Sequence, residues 1–213
     1  MTRIVCLSDT HNLHRSVDVP EGDVLVFAGD LTGAGTQPEV VDFLRWFEAL
    51  PHPSKVMIAG NHDWLFERDP GQAAQLVAKH APSATYLKDS GALIAGLRFW
   101  GSPVQPRFLD WAFNRDRGAD IQRHWDLIPA NTEVLVSHGP PRGYLDHVPN
   151  IGQEGCANLR ATLGKLPELR LSVFGHLHSK GGKMMMDSGK IFVNASICDE
   201  RYRPIHRAVM VAL

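Results

Sequence analysis

A layered α/β fold is predicted by two features of the sequence: short β-branched runs alternate with segments of helical periodicity, and almost every run stops at a polar or glycine-containing cluster. Ile4-Val5-Cys6-Leu7 leads into Ser8-Asp9-Thr10-His11, and Val24-Leu25-Val26-Phe27-Ala28 into Gly29-Asp30. Thr36-Gln37-Pro38-Glu39 has the form of a capping box and opens a helix whose Val40, Phe43, Leu44 and Phe47 share one face. Lys55-Val56-Met57-Ile58-Ala59 then meets Gly60-Asn61-His62-Asp63, and Gln72 to His80 reads as another helix. Leu97 to Trp100 is a strand before Gly101-Ser102-Pro103, and Ala119 to Ile128 is helical. Val134-Leu135-Val136 meets Ser137-His138-Gly139-Pro140, and a helix over Gly155 to Leu163 puts Cys156, Leu159 and Leu163 on one side. Leu171-Ser172-Val173-Phe174 meets Gly175-His176-Leu177-His178. Met184-Met185-Met186, flanked by glycines, reads as one strand of a hairpin rather than a soft-metal surface. Ile191 to Val193, before Asn194-Ala195-Ser196, and Ala208 to Leu213 complete the strands. In open α/β sheets the ligand site lies beyond the carboxyl ends of the strands, where these clusters fall, so they can converge.

The chain is 44% hydrophobic and 21% charged, enough for a sizeable core, and no repeat or linker interrupts it; one domain over residues 1–213 is expected. The formal net charge is -1, with Lys and Arg scattered, which lacks the electrostatic footprint of a partner for long nucleic acids. No apolar stretch has the length of a signal peptide or a membrane span. Cys6, Cys156 and Cys198 are odd in number and far apart, so neither a disulfide framework nor a thiolate zinc site is indicated, and cytoplasmic residence is expected.

The strand-end clusters supply carboxylate, imidazole and amide oxygen. These are the hard and borderline donors that a hydrolytic pair of metal ions needs, together with one group able to bridge both ions. Taken singly, Asp9, Asp30 and Asn61 are residue types that favour turns. Their recurrence at successive strand ends, beside His11, His62, His138, His176 and His178, points to metal binding instead.

Asp9-x-His11, Gly29-Asp30, Gly60-Asn61-His62-Asp63, His138 and Gly175-His176-x-His178, in this order, resemble the calcineurin-like metallophosphoesterase signature. Trp111-Ala112-Phe113-Asn114, His138-Gly139-Pro140-Pro141 and Val193-Asn194-Ala195-Ser196 further resemble the MPPED-type metallophosphodiesterases and their bacterial relatives. The resemblance implies a β-sandwich flanked by helices, an αββα arrangement. It also implies a dinuclear site in which Asp9, His11 and His178 bind one ion, Asn61, His138 and His176 the other, and Asp30 bridges them. His62 is implied to be catalytic, giving a proton to the leaving oxygen or steadying the phosphate. Some MPPED-type members carry glycine at the position of His176; the histidine here implies an intact centre. Protein phosphatases of the family continue the second motif as Gly-Asp-x-x-Asp-Arg-Gly. This chain reads Gly29-Asp30-Leu31-Thr32-Gly33-Ala34-Gly35, which disfavours that activity and leaves the group that orients His62 unidentified.

The implied reaction is hydrolysis of a small phosphodiester, cyclic nucleotides being the favoured class, with two divalent or trivalent ions (manganese favoured over iron or zinc). Trp111, Phe113 and Asn114 are candidate substrate contacts, offering an aromatic face and an amide; the alternative is that Trp111 and Phe113 close the core beneath a loop. His14, His52, His80, His124, His147 and His206 read as structural or solvated, with His14 and His147 nearest the motifs. Arg142, Arg201 and Arg203 read equally as surface charges or phosphate contacts. Rival functions are a phosphomonoesterase or nuclease of the same fold and a non-catalytic metal-binding module.

Overall fold

In the computed structural model, which describes residues 1–213, the apolar runs are strands and the polar clusters are the turns that follow them. The first half contains β1 (Arg3–Leu7), β2 (Val24–Ala28), α1 (Gln37–Ala49), β3 (Ser54–Ile58), α2 (Trp64–Arg68), α3 (Pro70–His80), β4 (Ala84–Tyr86), β5 (Ser90–Ile94) and β6 (Leu97–Ser102). Next come β7 (Gln105–Pro106), β8 (Asn114–Arg115), α4 (Ala119–Trp125), β9 (Val134–Ser137), β10 (His147–Val148), β11 (Gly152–Gln153) and α5 (Ala157–Leu163). The chain finishes with β12 (Leu171–Phe174), β13 (Lys183–Asp187), β14 (Lys190–Asn194) and β15 (Val209–Ala212).

One sheet has five strands in the order β15-β1-β2-β3-β4, all parallel except β15. The other has six in the order β13-β14-β12-β9-β6-β5, with an antiparallel strand at each edge and parallel pairing between. Alternate side chains of each strand serve different layers. Ile4, Cys6, Val24, Val26, Val56 and Ile58 face Val134, Val136, Leu171, Val173 and Val193 between the sheets. Val5, Leu7, Leu25, Phe27 and Met57 pack outward against Val40, Phe43, Leu44 and Phe47 of α1 and Leu76 and Val77 of α3. On the far side, Leu135, Phe174 and Phe192 meet Ile121 and Trp125 of α4 and Leu159 and Leu163 of α5. Strands buried on both faces read as continuous apolar runs for this reason, and the αββα sandwich expected from the motifs is the observed fold.

Several boundaries differ from the sequence reading. Helix α4 stops at Trp125, because the N–H groups of Leu127 and Ile128 turn back to the carbonyls of His124 and Trp125, each at 3.3 Å, in a tighter turn that leads into Pro129. Helix α5 starts at Ala157, with the Cys156 sulfur accepting from Leu159 N–H at 3.4 Å. Helix α3 starts at Pro70, where the Asp69 carboxylate accepts from Gln72 N–H at 2.9 Å. All three cysteines are free and buried, and no helix is long and apolar enough to cross a membrane.

Candidate metal centre

The carboxyl ends of β1, β2 and β3 in one sheet meet those of β9 and β12 in the other, and the five polar clusters come together there. Asp9, His11, Asp30 and His176 all adopt left-handed backbone, with φ of 54°, 42°, 56° and 66°. Each such non-glycine residue costs on the order of 1–3 kcal/mol, tolerated where surrounding contacts impose it. Those contacts are visible: Asp9 N–H donates to the Gly29 carbonyl at 2.9 Å, and His11 N–H to the Asp30 carbonyl at 3.2 Å. Ser196 Oγ donates to Asp9 Oδ2 at 2.7 Å, and His176 N–H to the same carboxylate at 3.0 Å. Gly175 has to be glycine, since a Cβ there would overlap Asp9 Oδ2 and Ser8 Oγ.

Two clusters of donors result. In the first, His11 Nε2 lies 3.3 Å from His178 Nε2, and His178 Nε2 lies 3.4 Å from Asp9 Oδ1. In the second, Asn61 Oδ1 lies 2.8 Å from both His138 Nε2 and His176 Nδ1. A single oxygen, Asp30 Oδ2, faces both: it is 3.7 Å from His11 Nε2 and 3.4 Å from His138 Nε2. Its partner oxygen accepts from His62 N–H at 2.8 Å. Three groups each place donor atoms within 4.8 Å of one another: Asp9, His11 and His178; Asp30, His138 and His176; and His11, Asp30 and His62.

The tautomers can be read from the backbone. His138 Nδ1 lies 2.9 Å from the Ala28 carbonyl and His178 Nδ1 2.9 Å from the Asp199 carbonyl. A carbonyl only accepts, so each Nδ1 carries a proton and each Nε2 turns its lone pair into the site. The lone pairs thus converge on carboxylate and amide oxygens, an arrangement that requires positive charge between them.

With only the chain's own charges, protons take that place. Burial would raise Asp9 and Asp30, yet the neighbouring His178 and His138 hold both carboxyls well below the usual range. Burial would lower His138, but the Asp30 carboxylate pushes it up to about 9, and Asp9 raises His178 likewise. Burial wins at His11 and His176, pulled down to about 4 and about 3. Two neutral and two proton-holding imidazoles around a pair of ionised carboxylates form a donor set that fits two cations.

His62 is held by two contacts. Its Nδ1 lies 2.7 Å from the Gly33 carbonyl, and its ring stacks on Trp111 with centroids 4.1 Å apart and planes at 25°. Asp63, its sequence neighbour, points elsewhere, accepting from Leu31 and Thr32 N–H, Thr32 Oγ1 and Gly60 N–H and so bracing the turns that carry Asp30 and Asn61. Burial, then the Asp30 charge, pushes its carboxyl up to about 7.

Above the donors lies a cleft of about 430 Å³, walled by Arg107, Phe108, Arg117, Val148, Ile151 and Tyr202 among others. The expected substrate contacts sit differently. Trp111 is the stacking partner of His62. Phe113 is fully buried in the helix-facing core, and Asn114 is spent on its own loop, accepting from Phe108 N–H at 3.1 Å and donating to the Leu109 carbonyl at 3.1 Å. The alternative for Phe113, that it closes the core, is what the packing gives. Of the other histidines, His14 is buried against Phe43 and Trp46 with Asp42 at 3.2 Å, whereas His147 is exposed. Arg203 is paired to Asp199, and the arginines that line the cleft are Arg107 and Arg117. Sequence reading missed Ser8, Ser196, Asp199, Tyr202 and Phe108; only the position of Ser8 and Ser196 at strand ends could have signalled them.

The model of the family described as calcineurin-like phosphoesterase matches residues 2–180. Metallophosphoesterase domain-containing protein 1 of Homo sapiens is 38% identical over 234 residues, an alignment covering 100% of this chain and 71% of that protein. Among solved structures, a Thermus thermophilus protein superposes with a TM-score of 0.62 at 12% identity, over 99% of this chain and 98% of the other. The phosphopantetheinyl hydrolase of Mycobacterium tuberculosis does so with a TM-score of 0.60 at 15% identity, over 98% and 95%. The matched family model, the relative aligned over the whole of this chain and the convergent donor set agree: this chain belongs to the calcineurin-like phosphoesterase family of dinuclear-metal-dependent phosphoric ester hydrolases.

Proposed function

We propose that the chain hydrolyses small phosphodiesters, nucleotide-like cyclic or open diesters being the favoured class, with manganese the favoured ion among manganese, iron and zinc. The observation that carries this reading is the single Asp30 oxygen shared by two donor clusters, with His62 held beside them. A bound pair of ions supplies Lewis acidity and lowers the pKa of water towards neutrality. Asp9, His11 and His178 would hold one ion, Asn61, His138 and His176 the other, and Asp30 both. Water adds to phosphorus and gives up a proton to solvent as the bond to the leaving ester oxygen breaks. His62, its Nδ1–H anchored on the Gly33 carbonyl, in its imidazolium form gives the Nε2 proton to that oxygen.

A diester is favoured over a monoester by charge. Gly33 and Ala34 stand where protein phosphatases of the family carry Asp-Arg, and both arginines of the cleft are already engaged: Arg107 with Asp116 at 2.6 Å, and Arg117 with the Gly155 and Glu154 carbonyls at 2.9 and 2.8 Å. Neither guanidinium is unpaired, so less positive charge is left there for the second negative charge of a monoester than a free arginine would give. The test is turnover of bis(p-nitrophenyl) phosphate against p-nitrophenyl phosphate by chelator-stripped protein with manganese, zinc or iron restored. Metal-dependent preference for the diester, lost in Asn61→Ala, supports the reading. Monoester preference moves it to a phosphomonoesterase, and metal uptake without turnover of either moves it to a binding module.

A further inference from the structure

Two short strand pairs border the cleft, the parallel β7 and β8 and the antiparallel β10 and β11, and the segments that join their strands expose apolar side chains in the cleft lining. Phe108 is 54% exposed and Ile151 70%, and both line the cleft that contains Asn61 and His176. A single exposed apolar side chain is ordinary, but exposed apolar side chains grouped in a cleft over a polar centre are the mark of a ligand groove. Phe108 is also not loose. Asn114 accepts from its N–H at 3.1 Å and donates to its carbonyl at 3.3 Å, while Gln105 Nε2 steadies Asn114 from the other side at 3.2 Å. The ring sits edge-on to His176, with centroids 6.1 Å apart.

The opposite end of the centre has its own aromatic. Tyr202 lies 4.8 Å from the His11 ring, 5.6 Å from His178 and 6.1 Å from His62. Its left-handed turn (φ 56°) is folded around the Asp199 carboxylate, which accepts from Arg201 and Arg203 N–H at 2.9 Å. The cleft therefore has an aromatic at each end, Tyr202 beside His62 and the first cluster and Phe108 beside the second, with Ile151 exposed in the lining between the two strand pairs and the centre.

We propose that Phe108 and Ile151 form a clamp for the ester substituent that stays on phosphorus, a flat ring such as an aryl group or a nucleobase, while the other substituent departs beside His62 and Tyr202. The assignment rests on the diesterase reading, since a monoester has no retained substituent. In-line displacement puts leaving group and nucleophile on one axis and the retained substituent to the side of it, so with the proton donor at the Tyr202 end the apolar surface at Phe108 is open to the group that does not depart.

Three substrates with one leaving group separate the possibilities: bis(p-nitrophenyl) phosphate, methyl p-nitrophenyl phosphate and p-nitrophenyl phosphate. Phe108→Ala should cut kcat/KM for the bis-aryl diester roughly tenfold, mainly through KM, and the methyl diester less than about twofold, as expected for losing apolar burial of one ring. Ile151→Ala should follow the same pattern more weakly. Leu109→Ala, exposed but outside the cleft wall, should change none of them, and Tyr202→Ala should weaken both diesters alike. Equal loss on the two diesters in Phe108→Ala, with metal content and melting temperature unchanged, overturns the clamp while leaving the diesterase standing. Wild-type protein that turns over only the monoester overturns both.

Discussion

His62 takes its direction from a backbone carbonyl and an indole face instead of a carboxylate. Gly33 occupies the position at which protein phosphatases of the family place the aspartate that orients the equivalent histidine, and here its carbonyl, at 2.7 Å, accepts from Nδ1. That substitution of main chain for side chain is invisible in the sequence, because every residue has a carbonyl. The metal donors were legible for the opposite reason: Asp9, His11, Asp30, Asn61, His138, His176 and His178 are residue types with few alternative reasons to recur at buried strand ends. Serine and tyrosine have many such reasons, which is why Ser196 and Tyr202 escaped notice. His62→Ala should retain metal and lose about 10²–10⁴-fold in kcat on diesters with poor leaving groups, with smaller loss on nitrophenyl esters. Trp111→Ala should reproduce that selectivity at roughly tenfold, with KM little changed and Trp111→Phe restoring most of it, because stacking fixes the ring without touching substrate. Loss independent of the leaving group, read from kcat across an aryl ester series, would remove the proton-donor role.

Among the elements, the buried parallel strands and the capped helix α1 were legible, because their period and their stops agree. Glu39 shows how local that information is. Its carboxylate accepts from Thr36 N–H at 2.8 Å and Thr36 Oγ1 at 2.7 Å, and also from Asn12 Nδ2 at 2.6 Å, tying the start of α1 to the turn after β1. Only the first part of that network can be read from Thr-x-x-Glu. Glu39→Ala should cost about 1–2 kcal/mol and lower the melting temperature by about 2–8 °C, measured by differential scanning calorimetry. Strands β4 and β5 were missed because one spans only three residues and the other is a partly exposed edge whose Ser90-Gly91-Ala92 start carries no large or β-branched apolar side chain. Helix α2, at five residues, is little more than one turn. The ribbons β7–β8 and β10–β11 are pairs of two-residue strands set by tertiary contacts.

Across the whole molecule, stability and metal binding are linked through His138. Its folded pKa, raised from 6.5 to about 9, contributes stability to the metal-free protein that is fully present below pH 6.5 and lost as pH rises through 9; His178 acts in the same direction. An ion held by the same lone pair replaces the proton, so loaded protein escapes that loss. At an ion concentration about a thousandfold above its dissociation constant, loading should add about 4 kcal/mol, or about 8–16 °C in melting temperature. The gap between loaded and chelated protein should widen from pH 6.5 to 9, and a gap that narrows in thermal melts across this range would contradict the proton assignment at His138. The division of donors between the sheets has a mechanical meaning as well. Asp9, Asp30 and Asn61 follow strands of the five-stranded sheet, while His138, His176 and His178 follow strands of the six-stranded one. A sandwich whose sheets meet through apolar side chains alone can be prised open from any edge, like the covers of a book. Coordination bonds spanning both covers make the rim that hosts the chemistry the clasp of the book, so the enzyme would be hardest to open while armed and would loosen first at its own working edge once the ions leave.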